Sequence, residues 1–128
     1  MSVIVETRQV ALLEPDALAE DHALARQVAR KALNTSAMAQ AAAHAAETEQ
    51  DLQRLADLCV VADEAVTATV DYATVAGRLA RGTTIEQDAA AAMRIARTAR
   101  QMARAWLETR AGAESSKLLA AAHDARVA

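Results

Sequence analysis

The sequence of 128 residues is poor in the residues that build large cores, tight turns and covalent cross-links. It has no Phe, one Trp, one Tyr, one Cys, one Pro and three Gly. The single cysteine, Cys59, excludes a disulfide within the chain and a metal site made of several cysteines, and it suits a reducing compartment. Since Gly and Pro mark most turns, their scarcity predicts long, uninterrupted elements.

The chain also lacks long apolar runs and a strong charge imbalance. The formal net charge is −3, so bulk attraction to nucleic acid or to an anionic membrane is not expected. No apolar stretch approaches the length that spans a bilayer, and the first residues do not resemble a signal peptide. These features predict a cytoplasmic protein without a membrane partner. The excess of 12 Arg over 2 Lys fits a GC-rich, bacterial genome.

Alanine is the dominant residue, with 36 copies among 128 residues. It is the best helix former, but each buried alanine contributes only about one methyl group of transfer free energy. Such a core gains its stability from many close contacts instead of a few large side chains. We therefore predict an all-α fold, an antiparallel helical bundle built on a long Ala-rich helical hairpin, with residues 15–128 as the bundle domain.

The N-terminal residues 1–14 have a different pattern. Over residues 3–8, one side of the chain carries two Val and a Thr in alternation, which is typical of a short strand. We predict an extended N-terminal arm that either lies on the bundle or is exchanged between subunits. Pro15 suits the first position of a helix, where its missing N–H has no partner. The first helix is predicted to end at residues 34–36, whose polar side chains compete with helical hydrogen bonds.

A heptad seam determines the predicted architecture of the middle of the chain. Uncharged residues recur three and four apart without a slip, namely Met38, Ala41, Ala45, Thr48, Leu52, Leu55, Cys59, Ala62, Val66, Thr69, Ala73, Ala76 and Ala80. This unbroken register favours one continuous helix over about residues 36–81. The alternative is a break near residues 47–48, where Thr48 and Asp51 resemble a capping box.

A second apolar seam runs beside the first, through Leu58, Val61, Ala65, Ala68, Tyr72, Val75 and Leu79. A helix that is apolar on two adjacent faces needs a neighbour on each face. One neighbour is predicted to be the third helix, and the other is either the first helix or a second subunit. The candidate partner interface therefore comprises Leu58, Val61, Tyr72, Val75, Leu79 and Trp106.

The third predicted helix follows a turn at Gly82, with Thr83 or Thr84 as its N-cap. Its seam is almost entirely alanine, from Ile85 through Ala89, Ala92, Ala96, Ala99 and Ala103 to Trp106. Alanine seams allow close approach, so a tight antiparallel hairpin is expected. Folding at Gly82 would place Asp71 opposite Arg94 and Glu64 opposite Arg100. A last helical segment is predicted after Gly112, with Leu118, Leu119 and Ala122 on its apolar side.

A search for chemistry finds no catalytic motif. The chain has no Glu-x-x-His and no His-Glu-x-x-His pattern, and the pair His44 and His123 lacks further ligands. We therefore predict neither a metal nor a cofactor. Cys59 has acidic sequence neighbours, Asp57 and Asp63, and is expected to be a buried, unreactive thiol.

Three functions remain open. The favoured one is a non-enzymatic protein that acts through self-association or protein–protein interaction, as an adaptor, scaffold or assembly subunit, with a homodimer preferred. The first alternative is a nucleic-acid-associated regulator that uses the shared face of Arg97, Arg100 and Arg104. Nucleic acid is the less favoured partner because aromatic stacking residues are nearly absent. The second alternative is a small enzyme or ligand carrier with a site between subunits.

Overall fold

The computed structural model describes the backbone of residues 2–127 and the side chains of residues 19–127. It contains α1 (Ser2–Thr48), α2 (Leu52–Leu79), α3 (Thr84–Ala111) and α4 (Ser115–Val127). Each of the three long helices packs against both of the others, and α4 packs mainly against α2. The predicted all-α helical bundle is confirmed, and no strand occurs between residues 2 and 127. Over the same residues, no helix is long and apolar enough to cross a bilayer.

Helix α1 differs from its prediction at both points where an interruption was expected. It begins at Ser2, so the predicted extended arm is wrong for residues 2–14, and α1 crosses the predicted boundary at residue 15. We predicted that the arm either lies on the bundle or is exchanged between subunits. Both alternatives depend on side chains of residues 1–14, which lie outside the described side chains. Helix α1 also continues through residues 34–36. The hydroxyls of Thr35 and Ser36 donate to carbonyl groups one turn earlier, which satisfies them inside the helix.

The predicted continuous helix over residues 36–81 is wrong, because the chain breaks at residues 49–51, close to the alternative position. Asp51 is extended and caps α2, since its carboxylate accepts a hydrogen bond of 3.0 Å from the backbone N–H of Arg54. The buried stripe of α1 ends at Ala46 and that of α2 begins at Leu55, so the register slips across the turn. Alanines on several sides of α1 near residues 41–46 hide this slip from a pattern search.

Small side chains fill the interface between the long helices. Among the described side chains of α1, the buried ones are Ala25, Ala29, Ala32, Ser36, Ala39, Ala42, Ala43 and Ala46. Helix α3 buries Ala89, Ala92, Ala96, Ala99 and Ala103, as predicted, followed by Leu107. Such stripes allow helix axes to approach to about 8 Å. Close approach therefore holds residues 25–46 of α1 against α2 and α3.

The buried side chains of the core become larger from the α2–α3 turn towards α4. At the turn end, its fully or nearly buried residues are alanines alone, namely Ala29, Ala32, Ala73, Ala76, Ala89 and Ala92. At the other end, Leu55, Val60 and Leu107 are fully buried. Helix α4 packs there through its predicted apolar side, formed by Leu118, Leu119 and Ala122. Larger side chains thus fill the space where a fourth helix joins the bundle.

The turn between α2 and α3 confirms the predicted hairpin. Gly82 has a φ of 75°, a left-handed conformation that glycine adopts without strain. Thr83 caps α3, and its hydroxyl accepts a hydrogen bond of 3.5 Å from the N–H of Glu86. On the other side of α2, the hydroxyls of Thr35 and the fully buried Thr69 lie 2.6 Å apart and connect α1 to α2.

Candidate functional site

The predicted partner interface lies partly against the chain's own core. Leu58 and Val61 are half-buried on the core cluster at the α4 end, and Tyr72 is half-buried on the alanine cluster. Leu79 is half-buried as well, whereas Val75 is exposed. Helix α1 therefore supplies the second neighbour that the doubled seam of α2 requires. The participation of these residues in a contact between subunits stays a prediction.

Trp106, the last residue of that predicted interface, contacts Arg110, which connects α3 to the end of α1. It is half-buried against the core, and the guanidinium carbon of Arg110 lies 4.9 Å from its ring centroid, a cation–π contact. Arg110 also donates hydrogen bonds to the carbonyl oxygens of Ala46 and Glu47. These carbonyls belong to the last turn of α1, where the Ala46 carbonyl also accepts a hydrogen bond of 3.4 Å from the backbone N–H of Glu49. Arg110 thus caps α1 from a different helix.

The arginines proposed for nucleic-acid contact do not form one free surface. Arg97 is exposed, Arg100 is half-buried, and Arg104 donates a hydrogen bond of 2.9 Å to the carboxylate of Asp63 on α2. Arg104 is therefore already paired with an acidic residue of the neighbouring helix. A role of these arginines on nucleic acid stays a prediction.

The detailed charge pairing between α2 and α3 differs from the prediction. Among the described side chains, neither Asp71–Arg94 nor Glu64–Arg100 forms an ion pair, and Glu64 contacts Arg126 of α4 at 3.0 Å. Asp71 is exposed, since it lies two positions from the buried Thr69 on a helix and therefore points away from the core. Arg126 of α4, a helix whose position was not predicted, therefore pairs with Glu64 in place of Arg100.

Asp63 is the centre of a polar cluster that joins three helices. Its side chain is only 12% exposed and accepts from Arg104 of α3, while its second oxygen lies 2.8 Å from Nε2 of His123 on α4. The two contacts connect α2 to α3 and to α4. We interpret the cluster as the attachment of α4 to the bundle.

Cys59 lies one turn before Asp63 and is fully buried. Burial raises the pKa of its thiol from 9.0 to about 11, the negative charge of Asp63 adds to the rise, and Arg104 opposes it. The thiolate is the reactive form, so this thiol is inert at neutral pH. The predicted buried, unreactive cysteine is confirmed in its burial and in the direction of its pKa.

We expect the free energy of unfolding to fall as the pH rises from about 9 to about 11. In this window the unfolded chain releases the Cys59 proton while the folded chain retains it, so the stabilisation is complete below pH 9 and is lost through the folded pKa. The loss is on the order of 2 kcal/mol, because one pKa unit corresponds to about 1.4 kcal/mol. Urea unfolding of the wild type and Cys59→Ala across this window measures it. Equal losses in both proteins would contradict the assignment to Cys59.

The described side chains contain no group of three or more His, Cys, Asp or Glu arranged to hold a metal ion. The two histidines considered as a pair lie on different faces of the bundle. His44 is exposed beside α3, whereas His123 contacts Asp63 where α4 meets α2.

An open groove of about 390 Å³ lies between α1 and α3. Its lining is mostly apolar and comprises Ala43, Ile95, Ala99 and Met102, with Gln40, His44, Glu47, Arg94 and Thr98 around them. Two further grooves, of about 370 and 320 Å³, lie on the α1–α2 side and share Val61. The α1–α3 groove is therefore a candidate contact surface, similar in volume to the grooves on the α1–α2 side.

The residues of the α1–α3 groove were missed because sequence reasoning followed the buried alanine seams. A signal for them exists beside those seams, at the same three–four spacing, in Leu33, Ala37, Gln40 and His44 of α1 and in Ala91, Ile95, Thr98 and Met102 of α3. The recognisable part of this pattern is the presence of large aliphatic residues beside a stripe of alanines.

The chain matches no protein-family model, no curated protein and no solved structure.

Proposed function

We propose that this protein is non-enzymatic and acts by self-association, as a scaffold or assembly subunit. The supporting observation is that large aliphatic side chains are exposed beside the buried alanine stripes of α1 and α3. Ile95 and Met102 of the groove are 36% and 52% exposed, and Leu33, two turns before the groove residue Gln40 on α1, is 45% exposed. Monomeric proteins rarely leave large contiguous apolar surfaces in water, and such surfaces commonly mark interaction sites.

The size of this surface indicates a modest affinity. Burying a large aliphatic side chain completely contributes about 1.5–3 kcal/mol, and these three are already partly covered. A two-fold contact uses every residue twice, but association costs at least about 4 kcal/mol of lost freedom. Scaled by their exposed fractions, these side chains in the two copies contribute about 4–8 kcal/mol, so a micromolar dimer, about −8 kcal/mol, also requires contributions from the alanine, polar and charged residues of the groove.

Sedimentation equilibrium of the purified chain tests the proposal. Between about 1 and 100 µM, the weight-average mass should rise from 13.5 kDa towards about 27 kDa, twice the mass of one chain. Dilution should reverse the change, because a micromolar dimer dissociates on that scale. A single 13.5 kDa species at every concentration would rule out self-association.

A further inference from the structure

We infer that a second copy of this chain occupies the α1–α3 groove, docked groove to groove about a two-fold axis with the helices of the two copies antiparallel. The inference rests on the proposed self-association and adds the contact surface and its geometry. Helices α1 and α3 would meet their counterparts in a four-helix core.

The groove carries opposite charges at its two ends. Helices α1 and α3 run parallel, because α2 connects them in an up-down-up bundle. Glu47 is the last groove residue of α1, and Arg94 is the first groove residue of α3. Among the lining residues, Arg94 therefore places a positive charge at one end and Glu47 a negative charge at the other, with Ile95 and Met102 between them. Arg110, which is bound to the end of α1, lies outside this lining.

Neither charge is satisfied strongly within the described part of the chain. The carboxylate of Glu47 lies 4.0 Å from Nδ1 of His44, whose side chain is 86% exposed. Arg94 is exposed and forms no ion pair with a described side chain. On the α1–α2 side, by contrast, Glu64 and Arg126 already pair with each other at 3.0 Å. Unpaired charges at both ends favour the α1–α3 groove as the contact surface.

A two-fold axis across the middle of the groove, perpendicular to the helices, makes these features complementary. It brings Arg94 of one copy to the same end as Glu47 of the partner subunit, and it does so at both ends. Ile95 and Met102 are two turns apart, about 10 Å, so Ile95 meets Met102 of the partner subunit. Thr98, midway between them, lies near the axis. A parallel arrangement would place Arg94 beside its own copy, and like charges oppose such a contact.

Disulfide trapping tests the position of the axis. In a Cys59→Ala background, Thr98→Cys should form a covalent dimer under mild oxidation, because the two copies of residue 98 face each other. Thr67→Cys is the matched control, since Thr67 is exposed on α2, outside the groove. We expect trapping at residue 98 to exceed that at residue 67 by at least about tenfold, as expected for an intramolecular over a collisional reaction. Equal trapping at the two positions would overturn the inference.

Charge reversal tests the antiparallel orientation independently. Arg94→Glu and Glu47→Arg should each weaken the dimer by about tenfold, because each change replaces two attractive contacts by two repulsive ones. The double variant should recover most of the wild-type affinity. Circular dichroism of each variant confirms that the helices remain folded, which both exposed positions permit.

The outcomes separate the two proposals. A wild-type dimer that shows neither trapping at residue 98 nor rescue by the double variant overturns the groove assignment and leaves self-association in place. A strictly monomeric wild type overturns both. Trapping together with charge rescue establishes the antiparallel two-fold contact.

Discussion

Replacing Leu107 by alanine is expected to lower the free energy of unfolding by about 3 kcal/mol, within the range of about 2–5 kcal/mol for buried leucines. Leu107 is one of the largest fully buried side chains in the described part of the chain. The other buried positions of α3 are alanines, whose methyl groups are too short to fill the space that Leu107 would leave. The cavity would lie where α4 joins the core, so α4 should loosen as well.

Urea denaturation of Leu107→Ala and of Leu24→Ala measures this effect against a matched control. Leu24 is 48% exposed, so its truncation removes little buried surface and should cost less than about 1 kcal/mol. If both variants lost the same stability, the assignment of Leu107 as the main large core residue of α3 would be wrong.

The second large effect is expected from the opposite change, Ala103→Leu, which should lower the free energy of unfolding by about 2–3 kcal/mol. Ala103 is fully buried in the stripe along which α3 meets the other two long helices. Close approach there depends on side chains no larger than a methyl group. Leucine adds three carbon atoms and forces α3 outward or forces the leucine out of its preferred rotamers.

Ala105→Leu is the control for this prediction, because Ala105 is exposed on the same helix two positions away. Leucine and alanine have similar helix propensities, so the exposed change should be close to neutral. Thermal and urea unfolding of both variants measure the difference. A nearly neutral Ala103→Leu would show that the helices are not packed at alanine distance.

The sequence was sufficient to predict α3 and its hairpin with α2. Gly82 and Thr83 mark the turn, and the alanine stripe of α3 has no competing register. The break at residues 49–51 was harder to predict, because alanine occupies several faces of α1 near residues 41–46 and any of them fits a heptad. The sequence indicated a possible cap at Asp51, but the unbroken heptad pattern favoured a continuous helix.

That break also changes the argument for assembly. A single rod over residues 36–81 would need a second subunit along its doubled seam, whereas the actual turn brings α1 onto α2 and covers much of that seam. The α1–α3 groove arises from the same turn, so the three–four spacing of its residues shows their alignment on each helix but not that the two helices are neighbours. Ile95 and Met102 line a groove only because α1 lies beside α3.

The contact between Thr35 and Thr69 has a consequence for how the helices are aligned along their axes. Alanine methyl groups repeat along α1 and α3 at nearly equal intervals, so sliding one helix by a heptad, about 10 Å, exchanges one methyl group for another at little cost. Such a shift would separate the two hydroxyls, now 2.6 Å apart, and remove a hydrogen bond with a net contribution of about 1 kcal/mol. A shift of α3 would instead draw Arg104 away from Asp63 of α2. These polar contacts therefore help to fix the axial alignment of α1 and α3, whose buried stripes consist mainly of alanine.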